Sequence, residues 1–272
     1  MAADANAAIE MWRDHDLSAL VKGTKVIAFD LDNTLARSKK PMHHDMASRF
    51  STLTRLIDVA LITGGRFELA KSQVLDVLEP DADRTRIHVM PTSGTRYFRW
   101  RQGRWRCLYS NDLDTADRKS AIASIERHAR EQGIWLEHTW GPRIEDRGSQ
   151  ITFSALGQEA PVDAKERWDP DNSKKNRLAK AVGVDLPNLV VRSGGSTSID
   201  VSARGVDKAY AVRRLCCIVG CSVDQVVFIG DRMDPDGNDY PAAIIGTKPI
   251  LVSGPGDTIQ VCNRLIAALS VS

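Results

Sequence analysis

A chain of 272 residues exceeds one average domain, so about two are expected, and its 42% hydrophobic content is enough for a sizeable core. The formal net charge is only +2 and no lysine–arginine block stands apart from acidic neighbours, which argues against nucleic acid as the main partner. No run approaches the ~20 apolar residues of a membrane span, so no membrane partner is expected either.

The N-terminal segment carries Asp4, Glu10 and Asp14 without a basic lead or an apolar stretch. This is not the pattern of a signal peptide, and it predicts a short amphipathic helix on the surface of the core. Residues 26–35 then read Val-Ile-Ala-Phe-Asp-Leu-Asp-Asn-Thr-Leu. Val26 to Phe29 have the β-branched and aromatic character of a buried strand. The strand delivers Asp30, Asp32 and Thr34 at its carboxyl end, in the crevice where α/β sheets bind ligands. Two acids beside an apolar strand cost free energy unless they are paired or metal-bound. The chemistry that fits is an aspartyl nucleophile with a hard cation holding a substrate phosphate.

A helix over Asp45–Leu56, a strand over Val59–Ile62, a helix over Glu68–Leu78 and a strand over Ile87–Met90 follow. Strands alternating with helices imply parallel pairing in a layered α/β core. The second strand ends in Thr63-Gly64-Gly65-Arg66, where glycines let the backbone approach an anion and the Thr63 hydroxyl can donate to a phosphoryl oxygen.

At Pro91-Thr92-Ser93-Gly94 the texture changes. Two alternating strands around Gln102-Gly103, a helix opened by Asp114, strands over Ile151–Ala155 and Ser196–Val201, and a helix near Lys174–Val182 predict an antiparallel sheet layered with helices. The arginines and aromatics of Arg96–Arg106 alternate as in an exposed sheet rather than a nucleic-acid patch. Lys174 and Lys175 read as solvated, and the charged, proline-containing stretch Gln158–Ser173 as the most mobile loop. The α/β pattern resumes after Gly205, with a helix over Lys208–Ile218, strands over Val226–Ile229 and Pro249–Val252, and a closing helix over Thr258–Leu269. Residues 1–92 and 204–272 are thus expected to form the core, and residues 93–203 an inserted α+β unit. Five cysteines, including Cys216, Cys217 and Cys221 in one apolar segment, fit reduced thiols in a cytoplasmic protein.

Four motifs occur in order: Asp30-x-Asp32-x-Thr34, Thr63-Gly64-Gly65, Lys208 at a helix start, and Gly230-Asp231 followed by Asn238-Asp239. Together they resemble the haloacid-dehalogenase superfamily of phosphotransferases with a type IIB cap. Six residues, Arg232 to Gly237, separate Gly230-Asp231 from Asn238-Asp239, as in eukaryotic-type phosphomannomutases. Ser193-Gly194-Gly195 leading to Ser198-Ile199-Asp200-Val201, then Gly205-x-Asp207-Lys208-x-Tyr210 and Asp257-Thr258, are also similar to that family.

The resemblance implies a three-layer, Rossmann-like parallel-sheet core with an inserted α+β cap that closes over the site. It implies that Asp30 attacks phosphorus, that Asp32 is general acid and then base, and that Thr63 and Lys208 bind the transferring group. Mg²⁺ would be held by Asp30, Asp32 through its backbone, and Asp231, with help from Asn238 or Asp239. Thr34 and Gly64 would contact the phosphate, while Arg147, Ser198 and Asp200 would line the cap's substrate face. The expected substrate is a small phosphorylated sugar. Phosphatase and sugar-phosphate mutase share every one of these parts. Thr63–Arg66 is closer to the phosphatases, and Gln158 stands about where the mutases carry a further phosphate-binding arginine, so hydrolysis is expected and isomerisation is the alternative. A non-catalytic sugar-phosphate-binding protein would have no need of Asp30.

Overall fold

The computed structural model describes residues 9–194 and 196–271. The chain divides into two compact units, Met1–Ser110 with Val206–Ser272, and Asn111–Gly205. The helix expected at the N-terminus lies partly outside the described residues. Within them there is a single turn at Trp12–Asp14 and a short helix α1, Leu17–Val21.

The first unit is built on a seven-stranded sheet of order β11-β10-β1-β2-β3-β4-β5. Strands β1 (Val26–Phe29), β2 (Asp58–Ile62), β3 (Ile87–Met90), β10 (Val226–Gly230) and β11 (Lys248–Leu251) are parallel. All four residues of β1 are buried, because the two-residue period of a strand sends its side chains alternately into two helical layers. Ile27 and Phe29 join the cluster that holds Phe50 and Leu53 of α2 (His44–Leu56) and Val261 and Leu265 of α9 (Pro255–Leu269). Val26 and Ala28 join Ala211, Val212 and Leu215 of α7 (Lys208–Val219) and Ala242 of α8 (Tyr240–Ile244) on the other side. The chain runs outward from β1 to β2 and β3 in one direction and to β10 and β11 in the other. The carboxyl ends of β1 and β10 therefore flank the point where strand order reverses, the usual position for a ligand.

Placing residues 93–110 in the insert is not supported. Strand β4 (Arg96–Arg101) pairs antiparallel with β3, and β5 (Arg104–Ser110) pairs with β4, so the hairpin extends the core sheet. Its anchor is apolar: Tyr97 is buried, and the Phe98 ring stacks 3.9 Å from that of Phe67 on α3 (Phe67–Gln73). The break in texture at residues 91–94 marks the switch from parallel to antiparallel pairing. There Thr92 and Ser93 have φ of 48° and 53° and Gly94 has φ 79°. A Cβ on Gly94 would lie 2.6 Å from Ala211 Cβ, so α7 packs directly on this turn. At the opposite margin, Met11 bridges to Leu251 of β11.

The second unit is a four-stranded antiparallel sheet of order β6-β7-β9-β8, with β6 at Ile144–Asp146, β7 at Gln150–Ser154, β8 at Leu189–Ser193 and β9 at Ser198–Ala203. Ile151, Phe153, Ile199 and Val201 pack with Ile125 of α4 (Thr115–Glu131) and Leu178 of α6 (Ser173–Asp185). Alternation leaves Thr152, Ser154, Ser198 and Asp200 on the opposite, polar face. The stretch expected as a mobile loop contains the helix α5, Val162–Trp168. It is followed by Asp169, which is buried and accepts the N–H groups of Lys174 and Lys175. Lys175 is itself buried, because its helix face turns into the unit's core. Among the described residues no helix is long and apolar enough to cross a membrane.

Candidate active site

Asp30 follows the last residue of β1, its N–H held by the Ile229 carbonyl of β10 at 2.9 Å, and only 4% of its surface is exposed. Lys208 is the first residue of α7, whose N-terminus is capped by the Asp207 carboxylate accepting from Tyr210 N. That cap fixes the helix start and with it the lysine, whose buried Nζ donates to both Asp30 Oδ1 and Asp239 Oδ1. Asp239 is fully buried, and its other oxygen accepts from Arg232 N at 3.1 Å.

Gly230, the last residue of β10, makes room for this arrangement. A Cβ there would come within 2.5 Å of Asp239 Oδ2. Gly230→Ala is therefore expected to push Asp239 off Lys208 and cost about 1–3 kcal/mol of stability, measurable by urea denaturation. Asp231 accepts from the Thr34 hydroxyl at 3.3 Å, and the Thr34 carbonyl accepts from Thr258 of α9 at 2.8 Å.

Carboxylate oxygens of Asp30, Asp231 and Asp239 lie within 4.8 Å of one another. Burial is the main cause that pushes Asp30 up to about 7; Asp239 adds to it and Lys208 opposes it. Burial followed by Asp239 raises Asp231 in the same direction. Burial disfavours the Lys208 ammonium, but Asp239 and Asp30 outweigh it and hold the lysine charged above its ordinary range. Three carboxylates facing one ammonium leave two negative charges uncompensated when all are ionised. A buried all-oxygen set with that charge suits a hard divalent cation.

The side chains of two expected metal ligands stand outside this group. Asn238 is exposed, and its neighbour Asp239 supplies the buried carboxylate. The Asp32 carboxylate instead accepts from Lys39 N at 2.9 Å and from Gln73 Nε2 at 3.2 Å, both on Oδ1. Thr63 is buried at the end of β2, and its Oγ1 accepts from Gly65 N at 3.0 Å, leaving its proton to donate elsewhere. A Cβ added at Gly64 would meet nothing within 4 Å, so the backbone there faces open space.

In the second unit, Ser198 and Asp200 converge: a Cβ on Gly194 would approach Ser198 Oγ to 2.8 Å and Asp200 Oδ2 to 2.9 Å. Thr152 donates to Asp200 Oδ1 at 2.6 Å. Arg147 is engaged by Glu145, with Nε and the terminal nitrogen 2.8 and 2.6 Å from Oε2. Gln158 has a cation beside it after all, since Lys165 Nζ donates to its carbonyl at 3.0 Å. The sequence motifs single out neither Lys165 nor Gln73. For Gln73 a signal was available: it lies three residues after Ala70 on the buried stripe of α3, where an apolar side chain is the default.

The sequence pattern of haloacid dehalogenase-like hydrolases matches residues 27–241, which span all four motifs. The chain belongs to this family. Among curated proteins it is similar to a phosphomannomutase of Encephalitozoon cuniculi (strain GB-M1), 24% identical over 262 residues that cover 90% of this chain and 95% of the relative. Among solved structures it resembles an N-terminally truncated IMP-nucleotidase of Plasmodium falciparum, with a TM-score of 0.67 at 15% identity, covering 92% of this chain and 72% of the other. It also resembles a trehalose-6-phosphate phosphatase of Aspergillus fumigatus, with a TM-score of 0.56 at 14% identity, covering 93% and 98%. The two structural likenesses establish a haloacid dehalogenase-like fold. Family membership and the likeness to a phosphomannomutase support an enzyme.

Proposed function

We propose that the protein is a Mg²⁺-dependent phosphatase that hydrolyses a small phosphorylated sugar, a hexose phosphate, through an aspartyl-phosphate intermediate. The observation that carries this reading is the buried group Asp30–Lys208–Asp239–Asp231, with a further carboxylate at Asp32 two residues beyond the nucleophile.

In the first step the Asp30 carboxylate attacks phosphorus in line with the sugar oxygen. As the phosphorus–oxygen bond breaks, Asp32 gives its proton to the departing oxygen. In the second step Asp32 takes a proton from water, whose oxygen attacks the phosphoaspartate, releasing inorganic phosphate and restoring Asp30. Lys208 and the Thr63 hydroxyl hold the phosphoryl oxygens through both steps. Asp30, Asp231 and Asp239, with the backbone at Asp32, would hold Mg²⁺, which when bound would supply positive charge to offset the phosphoryl oxygens and favour ionised Asp30. On the polar face of the second unit's sheet, Ser198 and Asp200 offer hydrogen-bonding groups suited to sugar hydroxyls.

Hydrolysis is favoured over isomerisation because the Arg147 charge is already shared with Glu145, which weakens its grip on a second phosphate. The resemblance of Thr63–Arg66 to phosphatases points the same way. Isomerisation is the second reading. It is favoured by the phosphomannomutase relative and by the Lys165 ammonium beside Gln158.

Phosphorus NMR on a hexose 6-phosphate with Mg²⁺ separates the two. Inorganic phosphate is expected as the main product, and adding a hexose bisphosphate should not divert it. Interconversion of 1- and 6-phosphates with little free phosphate would establish the mutase. Excess chelator is expected to abolish turnover and Mg²⁺ to restore it; full activity with metal content verified as nil would overturn the metal requirement. Gln158→Arg should shift the product ratio toward isomerisation.

A further inference from the structure

We infer that Gln73 is a positioning residue for Asp32: together with the Lys39 N–H it fixes Oδ1 of the carboxylate and reserves Oδ2 for proton transfer. The inference rests on the reading of Asp32 as the acid–base group. Gln73 is 1% exposed on α3, and its amide nitrogen donates at 3.2 Å to Asp32 Oδ1 and at 3.0 Å to the Lys40 carbonyl. Its backbone carbonyl accepts from Met42 N at 2.8 Å, so one residue ties α3 to three points of the loop that follows Asp30.

The second donor on Oδ1 comes from a backbone shaped for it. Lys39 has φ 58° and Asn33 has φ 62°, left-handed conformations uncommon for residues other than glycine. This loop geometry aims Lys39 N at Asp32 from 2.9 Å. Among the described residues no hydrogen bond reaches Asp32 Oδ2. With two N–H donors on one oxygen that oxygen stays an acceptor, so the proton given to a leaving group resides on the other. Two donors hold Oδ1 in place more firmly than one would.

Packing alone does not account for a glutamine here. Its Oε1 is buried with no hydrogen-bond partner among the described residues. An apolar side chain of similar volume would fill the site without that unmatched acceptor. The donor end, not the bulk, is what this position contributes.

The test uses leaving-group dependence, which a purely structural role would not alter. A sugar oxygen leaves poorly without a proton, whereas p-nitrophenolate leaves readily without one. The quantity kcat/KM reports the step in which the leaving group departs. For Gln73→Leu and Gln73→Met, kcat/KM on a hexose 6-phosphate is expected to fall by roughly 100-fold, the size of a misplaced general acid. On p-nitrophenyl phosphate it should stay within about 3-fold, and Tm should be unchanged or higher. Asp32→Asn should show the same split, and adding Gln73→Leu to it should change nothing more. Parallel loss on both substrates, or no loss on either, in variants that fold would overturn the role of Gln73. Failure of the acid–base reading itself is distinct: Asp32→Asn would then lack the split.

Discussion

Asp30→Asn is expected to lower turnover by roughly 10⁴-fold or more, because it removes the attacking charge and with it the covalent route. In metal-free buffer the same substitution should not lower stability and is expected to raise it. Burial holds Asp30 at about 7 against an ordinary 3.8, so the folded state binds a proton that the unfolded chain releases. For such a raised carboxyl the stabilising contribution is complete below 3.8 and is lost as pH rises toward 7. Above that the parent carries the full penalty of a buried charge facing Asp239 and Asp231, on the order of a few kcal/mol. The Tm advantage of Asp30→Asn should therefore grow between pH 4 and 7 and then level off. Mg²⁺ should shrink the advantage by stabilising the parent selectively. Thermal unfolding across that range, with and without Mg²⁺, measures all three. Near-normal turnover by Asp30→Asn would discard the proposed mechanism.

Lys208→Ala is expected to have the largest effect on stability. The ammonium bonds to two buried carboxylates, and its removal leaves Asp30 and Asp239 facing each other without a cation. Breaking a buried pair from one side costs about 3–5 kcal/mol, far more than the pair contributes when intact. Truncating a long buried side chain adds a cavity, so Lys208→Met, which keeps the volume, separates charge from packing. Both variants should be least stable at alkaline pH and recover as the carboxylates take up protons. Denaturant midpoints at pH 5 and pH 8 test this, and equal losses at the two values would show that the effect is one of packing. Activity should fall for both, since the phosphoryl oxygens lose their positive partner.

Asp30, Asp32, Lys208 and Asp231 were legible in the sequence for a shared reason. Each sits at the end of a short apolar strand or the start of a helix, where local patterning fixes position and the chemistry is unusual enough to stand out. Non-local choices were not legible in the same way. The alternation in Arg96–Ser110 predicts a hairpin wherever it docks, and pairing with β3, burial of Tyr97 and stacking of Phe98 on Phe67 place it on the core sheet. Asn238 and Asp239 are adjacent and both able to bind a cation. Arg232 O accepting from Asp239 N, across a turn through Gly237, is what brings the second of them inward. The stretch after Gln158 looked loop-like because it is rich in charge, yet Asp169 turns inward and caps the following helix. A polar residue on the buried stripe of α3 marked Gln73 as unusual, but its partner, one oxygen of a carboxylate forty-one positions earlier, was not legible.

The hairpin that closes one side of the core sheet also bears on how copies of this protein behave toward one another in crowded solution. Strand β5 is last in the order, so its outer margin offers backbone donors and acceptors to any extended chain that drifts past. Across β4 and β5 the register sets Arg99 against Arg106 and Arg101 against Arg104. A further copy of β5 laid along that margin would add more guanidinium groups to a surface already crowded with them. Like charges brought face to face oppose such growth, much as lysines do on other open sheets. The facing arginines thus act as a fence against edge-to-edge growth of the sheet, and exchanging Arg104 and Arg106 for threonine would open a gate to aggregation.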